Sequence, residues 1–184
     1  MQQNGIILQG FNWTSHTKDK HYTHLKESLS KMKNMKVTKV WLPPSSKSRD
    51  PEGYYPLDYY NFDSEYGTRN ELLSLVDTLR ENDIDVMGEL VCWTNFCGHE
   101  REPFMFDEQE VNIDSEELFG HYEEFLLHMQ GVGFTDIRVD FLKSPECYKL
   151  GLHVAGLDSL RKLKFVGEYW TDMSYEGEYL MNNQ

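Results

Sequence analysis

Two short stretches hold the residues that could do chemistry together. In GFTDIRVDFLK, Arg138 and Asp140 stand two positions apart. In an extended strand such residues point to the same face. The strands of a parallel sheet are normally apolar on both faces, so two opposite charges on one face need a reason. One reason is a buried ion pair that fills space. The other is a carboxylate held ionised and aimed by a guanidinium. In FVGEYW, Glu168 follows Gly167 and precedes two aromatics. An apolar wall raises a carboxylate's pKa and keeps its proton near neutrality, as a general acid requires. Neighbouring strands lie about 4.8 Å apart. If these two stretches are adjacent strands, Asp140 and Glu168 come within roughly 5–5.5 Å, the spacing of a nucleophile and an acid/base that cleave a glycosidic bond with retention.

Other candidates surround this pair. Tyr54, in EGYYP, lies in a loop where its ring could stack on a sugar or simply cover apolar surface. Trp13 (GFNW) and Trp41 (VWLPP) read as core or rim packing. Cys92 and Cys97, with His99 beside them, lack the second Cys/His pair that a zinc site needs, so free thiols and no metal are expected. No Ser or Cys sits in a nucleophile-elbow pattern.

These residues need elements to position them. Short β-branched and apolar runs begin at 5, 37, 84, 134 and 164: GIILQGF, VTKVWL, IDVMGELV, FTDIRVDF and KFVGEY. Between them, apolar spacings of three and four predict helices over 22–35, 69–82 and 115–130, the last stopped by Gly131. A weaker helix over 145–163 is interrupted by Gly151 and Gly156. Strands alternating with helices imply right-handed βαβ units and a parallel sheet. That sheet is either open and doubly wound or part of a (β/α)8 barrel. The polar residues Glu89, Arg138, Asp140 and Glu168 all fall late in their runs, which favours the barrel, where side chains gather at the C-terminal strand ends. No glycine-rich phosphate loop follows the first run.

Composition narrows the partners. The chain has 184 residues with 18 Lys plus Arg against 31 Asp plus Glu, a formal charge of −13. So acidic a surface disfavours nucleic acids and anionic membranes. No apolar run approaches the roughly 18 residues of a membrane span, and no secretion signal is read at the N-terminus. Three Cys, an odd and sparse count, point to a reducing, cytoplasmic compartment. Aromatics make up 14%, which suits both core packing and sugar stacking.

Taken in order, ILQGFNW, VTKVWLPPSS, EGYYPLDYYNFDSEYGT, GFTDIRVDFLK and FVGEYW resemble the alpha-amylase family of glycoside hydrolases, most nearly its plant-type and bacterial liquefying-type members. The resemblance implies an α/β fold in which residues 1–184 form one truncated barrel domain, about five of eight βα units. It implies cleavage of alpha-linked glucan or oligosaccharide by a retaining double displacement, with Asp140 as nucleophile and Glu168 as acid/base. It assigns Arg138, Tyr54 and Lys143 to substrate binding. Where the family's third-strand block has Asp, Asn and His, this chain has Glu89, Trp93 and Thr94. That Asn is usually a calcium ligand, so no cofactor is expected. The family's inserted segment after the third unit is replaced by a short loop over 94–114, and no residue matches its third site carboxylate. Five strands cannot close the barrel, so free strand edges invite self-association. A non-catalytic glucan-binding or structural relative is the competing expectation.

Overall fold

The computed structural model describes residues 5–91, 116–142 and 145–169. Five parallel strands form the main sheet: β1 (Ile7–Gln9), β2 (Lys39–Trp41), β5 (Asp85–Leu90), β6 (Asp136–Val139) and β7 (Lys164–Gly167). Between β2 and β5, β3 (Lys47–Ser48) and β4 (Pro56–Asp58) make a small antiparallel hairpin. In the main sheet the spatial order is the chain order, β1-β2-β5-β6-β7. Each crossover steps to the next position in the same direction. A doubly wound sheet reverses direction at its switch point, whereas a barrel does not. The sheet is therefore an arc of a (β/α)8 barrel.

Strand alternation sorts the side chains into two sets. Val40, Val86, Leu90, Ile137 and Val139 lie on the outer face and are fully or almost fully buried in the core. With them pack α1 (His21–Glu27), α2 (Leu29–Asn34), α3 (Arg69–Arg80), α4 (Glu116–Val132) and α5 (Pro145–Ala155). The α3 stripe is Leu72, Leu75, Val76 and Leu79, and the α4 stripe centres on Tyr122, Phe125, Leu126 and Met129. Gly88 is where β5 meets α4 closely: a Cβ there would sit 2.4 Å from Met129 Cε and 2.8 Å from the Phe134 ring. The inner face carries the other set and is largely polar. It also stays open at its two flanks, where Ile7 is 55% and Val166 48% exposed.

Local chemistry explains where the elements depart from expectation. The helix over 22–35 breaks at Ser28, whose hydroxyl donates to His24 O (3.0 Å) and so competes with the helical backbone pattern. Helix α4 runs past Gly131 and ends at Gly133, whose φ of +118° is the left-handed turn that closes a helix. Helix α5 ends at Ala155 and gives way to a single 3-10 turn, Asp158–Leu160. Helix α3 starts where the Thr68 hydroxyl and Glu71 carboxylate cap each other's backbone N–H groups. The β3–β4 hairpin is too short to leave a pattern in the sequence.

At the N-terminal end of the inner face, Lys39 on β2 forms an ion pair with Asp136 on β6, and Thr135 Oγ1 donates to the same carboxylate (2.7 Å). Asp136 is almost fully buried. Removing one partner from such a pair strands the other charge away from water. Lys39→Met should destabilise the fold by about 3 kcal/mol, the low end for a buried pair because Lys39 keeps some exposure. Urea unfolding checks this. Lys39→Met combined with Asp136→Leu should recover most of the loss, and a silent single variant would contradict the pairing.

Candidate active site

The register of the sheet builds the site. Glu89 on β5 stands directly opposite Arg138 on β6, and Arg138 stands opposite Val166 on β7. Ladder hydrogen bonding continues one residue past the strand ends. Asp140 N–H donates to Leu90 O, and Glu168 N–H donates to Val139 O, both at 2.9 Å. The backbones of both acids are thus pinned to neighbouring strands at the C-terminal rim. Just beyond Asp140 the chain turns through Phe141, a bulky residue held at φ +50°. A positive φ is strained for such a side chain. The Phe141 N–H donates to Glu168 Oε2 (3.1 Å), which ties this turn to the second acid.

Arg138 is the hub. Its Nη1 donates to Asp140 Oδ1 (3.0 Å) and to Glu89 Oε1, and its Nη2 pairs with Glu168 Oε1 (3.0 Å). Its guanidinium carbon lies 4.7 Å from the centroid of the Trp41 ring, and Trp41 Nε1 donates to Glu89 Oε2 (2.8 Å). Three carboxyl groups therefore share one guanidinium. They are graded in exposure: the Glu89 side chain is fully buried, Asp140 is mostly buried, and Glu168 is 37% exposed.

That arrangement sets the protonation states. Burial pushes Glu89 up to about 8, against the opposing pull of Arg138 and the Trp41 N–H. Burial also raises Asp140, Arg138 opposes it, and the Glu168 carboxyl in hydrogen-bonding contact raises it further. Arg138 rises above its ordinary value because the surrounding carboxylates outweigh its burial.

The expected site residues Arg138, Asp140 and Glu168 come together. Asp140 and Glu168 lie close enough for the Glu168 carboxyl to raise Asp140. The apolar wall expected around Glu168 is absent on the side that is described: Tyr169 is exposed, and both Glu168 oxygens face N–H donors. Tyr54 follows Gly53, whose φ is +96°, and its N–H donates to Asp50 Oδ2 (3.0 Å). Its phenol is raised by burial and by the negative charges of Glu89 and Asp140, so it lies beside the cluster. On its other side its ring stacks on that of Trp13, with centroids 6.0 Å apart and planes 15° from parallel. Trp13 is 68% exposed and so faces solvent instead of packing inward. Trp41 is no rim residue either; it belongs to the cluster, with Phe11 edge-on at 5.1 Å. Lys143, Trp93, Thr94, Cys92, Cys97 and His99 lie outside the described residues. Among the described residues no group of three or more His, Cys, Asp or Glu could hold a metal. No described helix is long and apolar enough to cross a membrane. Sequence reasoning noted that Glu89 falls late in its strand but did not place it in the site. The missing information was register, which puts it opposite Arg138.

Comparison with known proteins was made against this geometry. A family profile described as "Alpha amylase, catalytic domain" matches residues 9–135 and so ends just short of Arg138. The chain is 28% identical to "Alpha-amylase 3, chloroplastic" of Arabidopsis thaliana over 92% of this chain and 23% of that one. It is 27% identical to "Probable alpha-amylase 2" of the same plant over 97% of this chain and 50% of that one. The chain thus spans half or less of the length of these relatives. Among solved structures, an alpha-amylase from Lactobacillus plantarum superposes with a TM-score of 0.68 at 16% identity, covering 90% of this chain and 45% of that one.

The raised Glu89 has a consequence for stability. Between about 4.5 and about 8 the folded protein keeps a proton on Glu89 that the unfolded chain has released. A state that binds more protons loses stability as pH rises, so Glu89 contributes a decline through that window, and the raised Asp140 adds in the same direction. Buried His21 and partly buried His128, whose pKa values are lowered, act in the opposite sense. The informative quantity is therefore the difference between wild type and Glu89→Gln. In urea titrations across this window, the variant should gain on the wild type as pH rises. A constant difference would refute the assignment.

Proposed function

The chain belongs to the alpha-amylase family of glycoside hydrolases, and from that premise we propose that it cleaves alpha-linked glucan by a retaining double displacement. The observation that carries this reading is the hold of one guanidinium on Asp140 and Glu168 at the C-terminal rim. In the first step Asp140 attacks the anomeric carbon. The bond from that carbon to the leaving oxygen breaks, and the Glu168 proton passes to that oxygen. In the second step water attacks the glycosyl ester, Glu168 takes the water's proton, and Asp140 is released as carboxylate. The scheme needs one proton on the pair, carried by Glu168 as Asp140 attacks.

The surrounding residues fit the same scheme. Arg138 keeps Asp140 oriented and opposes the effect of its burial. Tyr54 offers a ring face beside the acids for the sugar whose bond is cut, and Lys143 would line the product side. The scheme uses no cofactor, and no step is routed through calcium. For the compartment, the sparse and odd count of three Cys supports a reducing cytoplasm.

The test is release of reducing sugar from soluble starch by the purified chain. Asp140→Asn should lower the rate by at least about a thousand-fold while leaving glucan binding within a few-fold. Release that survives this substitution would refute the assigned nucleophile. Binding of a maltooligosaccharide without any release would support the second reading, a non-catalytic glucan-binding relative.

A further inference from the structure

Glu89 has no part in the bond-breaking steps, yet it is the most deeply buried member of the cluster. Both its oxygens are engaged, Oε1 by Arg138 Nη1 and Oε2 by Trp41 Nε1 at 2.8 Å. The Trp41 ring in turn lies against the guanidinium at 4.7 Å. Trp41, Glu89 and Arg138 thus close a triangle across three neighbouring strands, β2, β5 and β6.

A guanidinium next to a carboxylate prefers the paired, two-bond arrangement. Arg138 does not adopt it with Asp140. It gives Nη1 to Asp140 and Nη2 to Glu168, one bond to each. Such a split needs the plane of the guanidinium to be fixed from elsewhere. Phe141 N–H orients Glu168, and the backbone orients Asp140, but neither fixes Arg138. Among the described residues, the Trp41 ring and Glu89 are what else touches it.

We propose that Glu89 is a positioning residue, which with Trp41 fixes the plane of Arg138 so that its two terminal nitrogens serve Asp140 and Glu168 separately. The role rests on the reading of those two acids as the reacting pair. Among the described residues, the charged and titratable groups facing Glu89 are Arg138 and Asp140 from β6 and its rim, Glu168 from the rim after β7, Tyr54 from the β3–β4 loop and Tyr66 from the segment between β4 and α3. Loss of its proton adds a negative charge that competes for Nη1, so its titration is felt by both acids.

Substitutions separate length from charge. Glu89→Gln keeps the length, but its amide either turns N–H toward Arg138, donor against donor, or leaves the Trp41 N–H without an acceptor. Glu89→Asp keeps a titratable carboxyl but, one methylene shorter, reaches Arg138 or Trp41 and not both. The experiment follows the carboxyl carbon resonances of Asp140 and Glu168, and the Trp41 indole resonance assigned with Trp41→Phe, from about pH 4 to about pH 10. In the wild type all three should show an inflection at the midpoint of Glu89. In Glu89→Gln that inflection should vanish. Where starch is cut, Glu89→Gln should lower kcat at least about ten-fold with KM within about two-fold, the pattern of a lost positioning contact. Glu89→Asp should recover part of kcat and retain the inflection. Carboxyl titration curves unchanged by Glu89→Gln overturn the proposal, even if the fold is weakened. If the wild type cuts no glucan, the catalytic reading fails while the titration curves still decide this one.

Discussion

One cation shared among three carboxyl groups is the constraint on which the upper part of this molecule depends. Arg138 projects from the inner face of β6 and reaches Glu89, Asp140 and Glu168, which come from three adjacent strands. Attraction alone would favour a symmetric pair with one of them. The sheet forbids that, because backbone hydrogen bonds to Leu90 and Val139 fix where Asp140 and Glu168 begin. Among the described residues that is one positive charge for three acids in a partly dry site. Burial pushes the deepest carboxyl, Glu89, up to about 8 and raises Asp140 as well, against the pull of Arg138.

Much of this arrangement is legible in the sequence, for identifiable reasons. Alternation places Arg138 and Asp140 on one face whatever the rest of the fold does. The five apolar runs and the helices between them are long enough to read. The late position of the polar residues selects the barrel over the open sheet, and the unreversed strand order agrees. What the sequence cannot show is register. Glu89 lies opposite Arg138 only because Met87 pairs with Asp136, and a one-residue slip would turn Glu89 to the helices. The same holds for Trp41, which reads as packing until its indole is seen against Glu89. Trp13, which reads as core or rim packing, is exposed and stacks on Tyr54. Smaller misses are local: a serine that interrupts a helix by bonding its own backbone, and a hairpin of two short strands.

The inner face holds two ionic layers on the same strands, and their contrast separates stability from chemistry. The lower layer is balanced. Lys39 is paired with Asp136, and Lys164 lies 3.7 Å from Asp85 at the surface, one cation to each acid. The upper layer, one alternation step higher on β6, is unbalanced by two charges when all its acids are ionised. An unbalanced cluster is the less stable arrangement in a site with little water. That the fold keeps the imbalance at the C-terminal rim, where a barrel's strand ends converge, and keeps the balanced layer below it, is what a site for proton-coupled bond cleavage requires. The lower pairs tie β2 to β6 and β5 to β7 across the same face. The upper cluster can then lose or gain a proton while the register that brings its members together stays fixed.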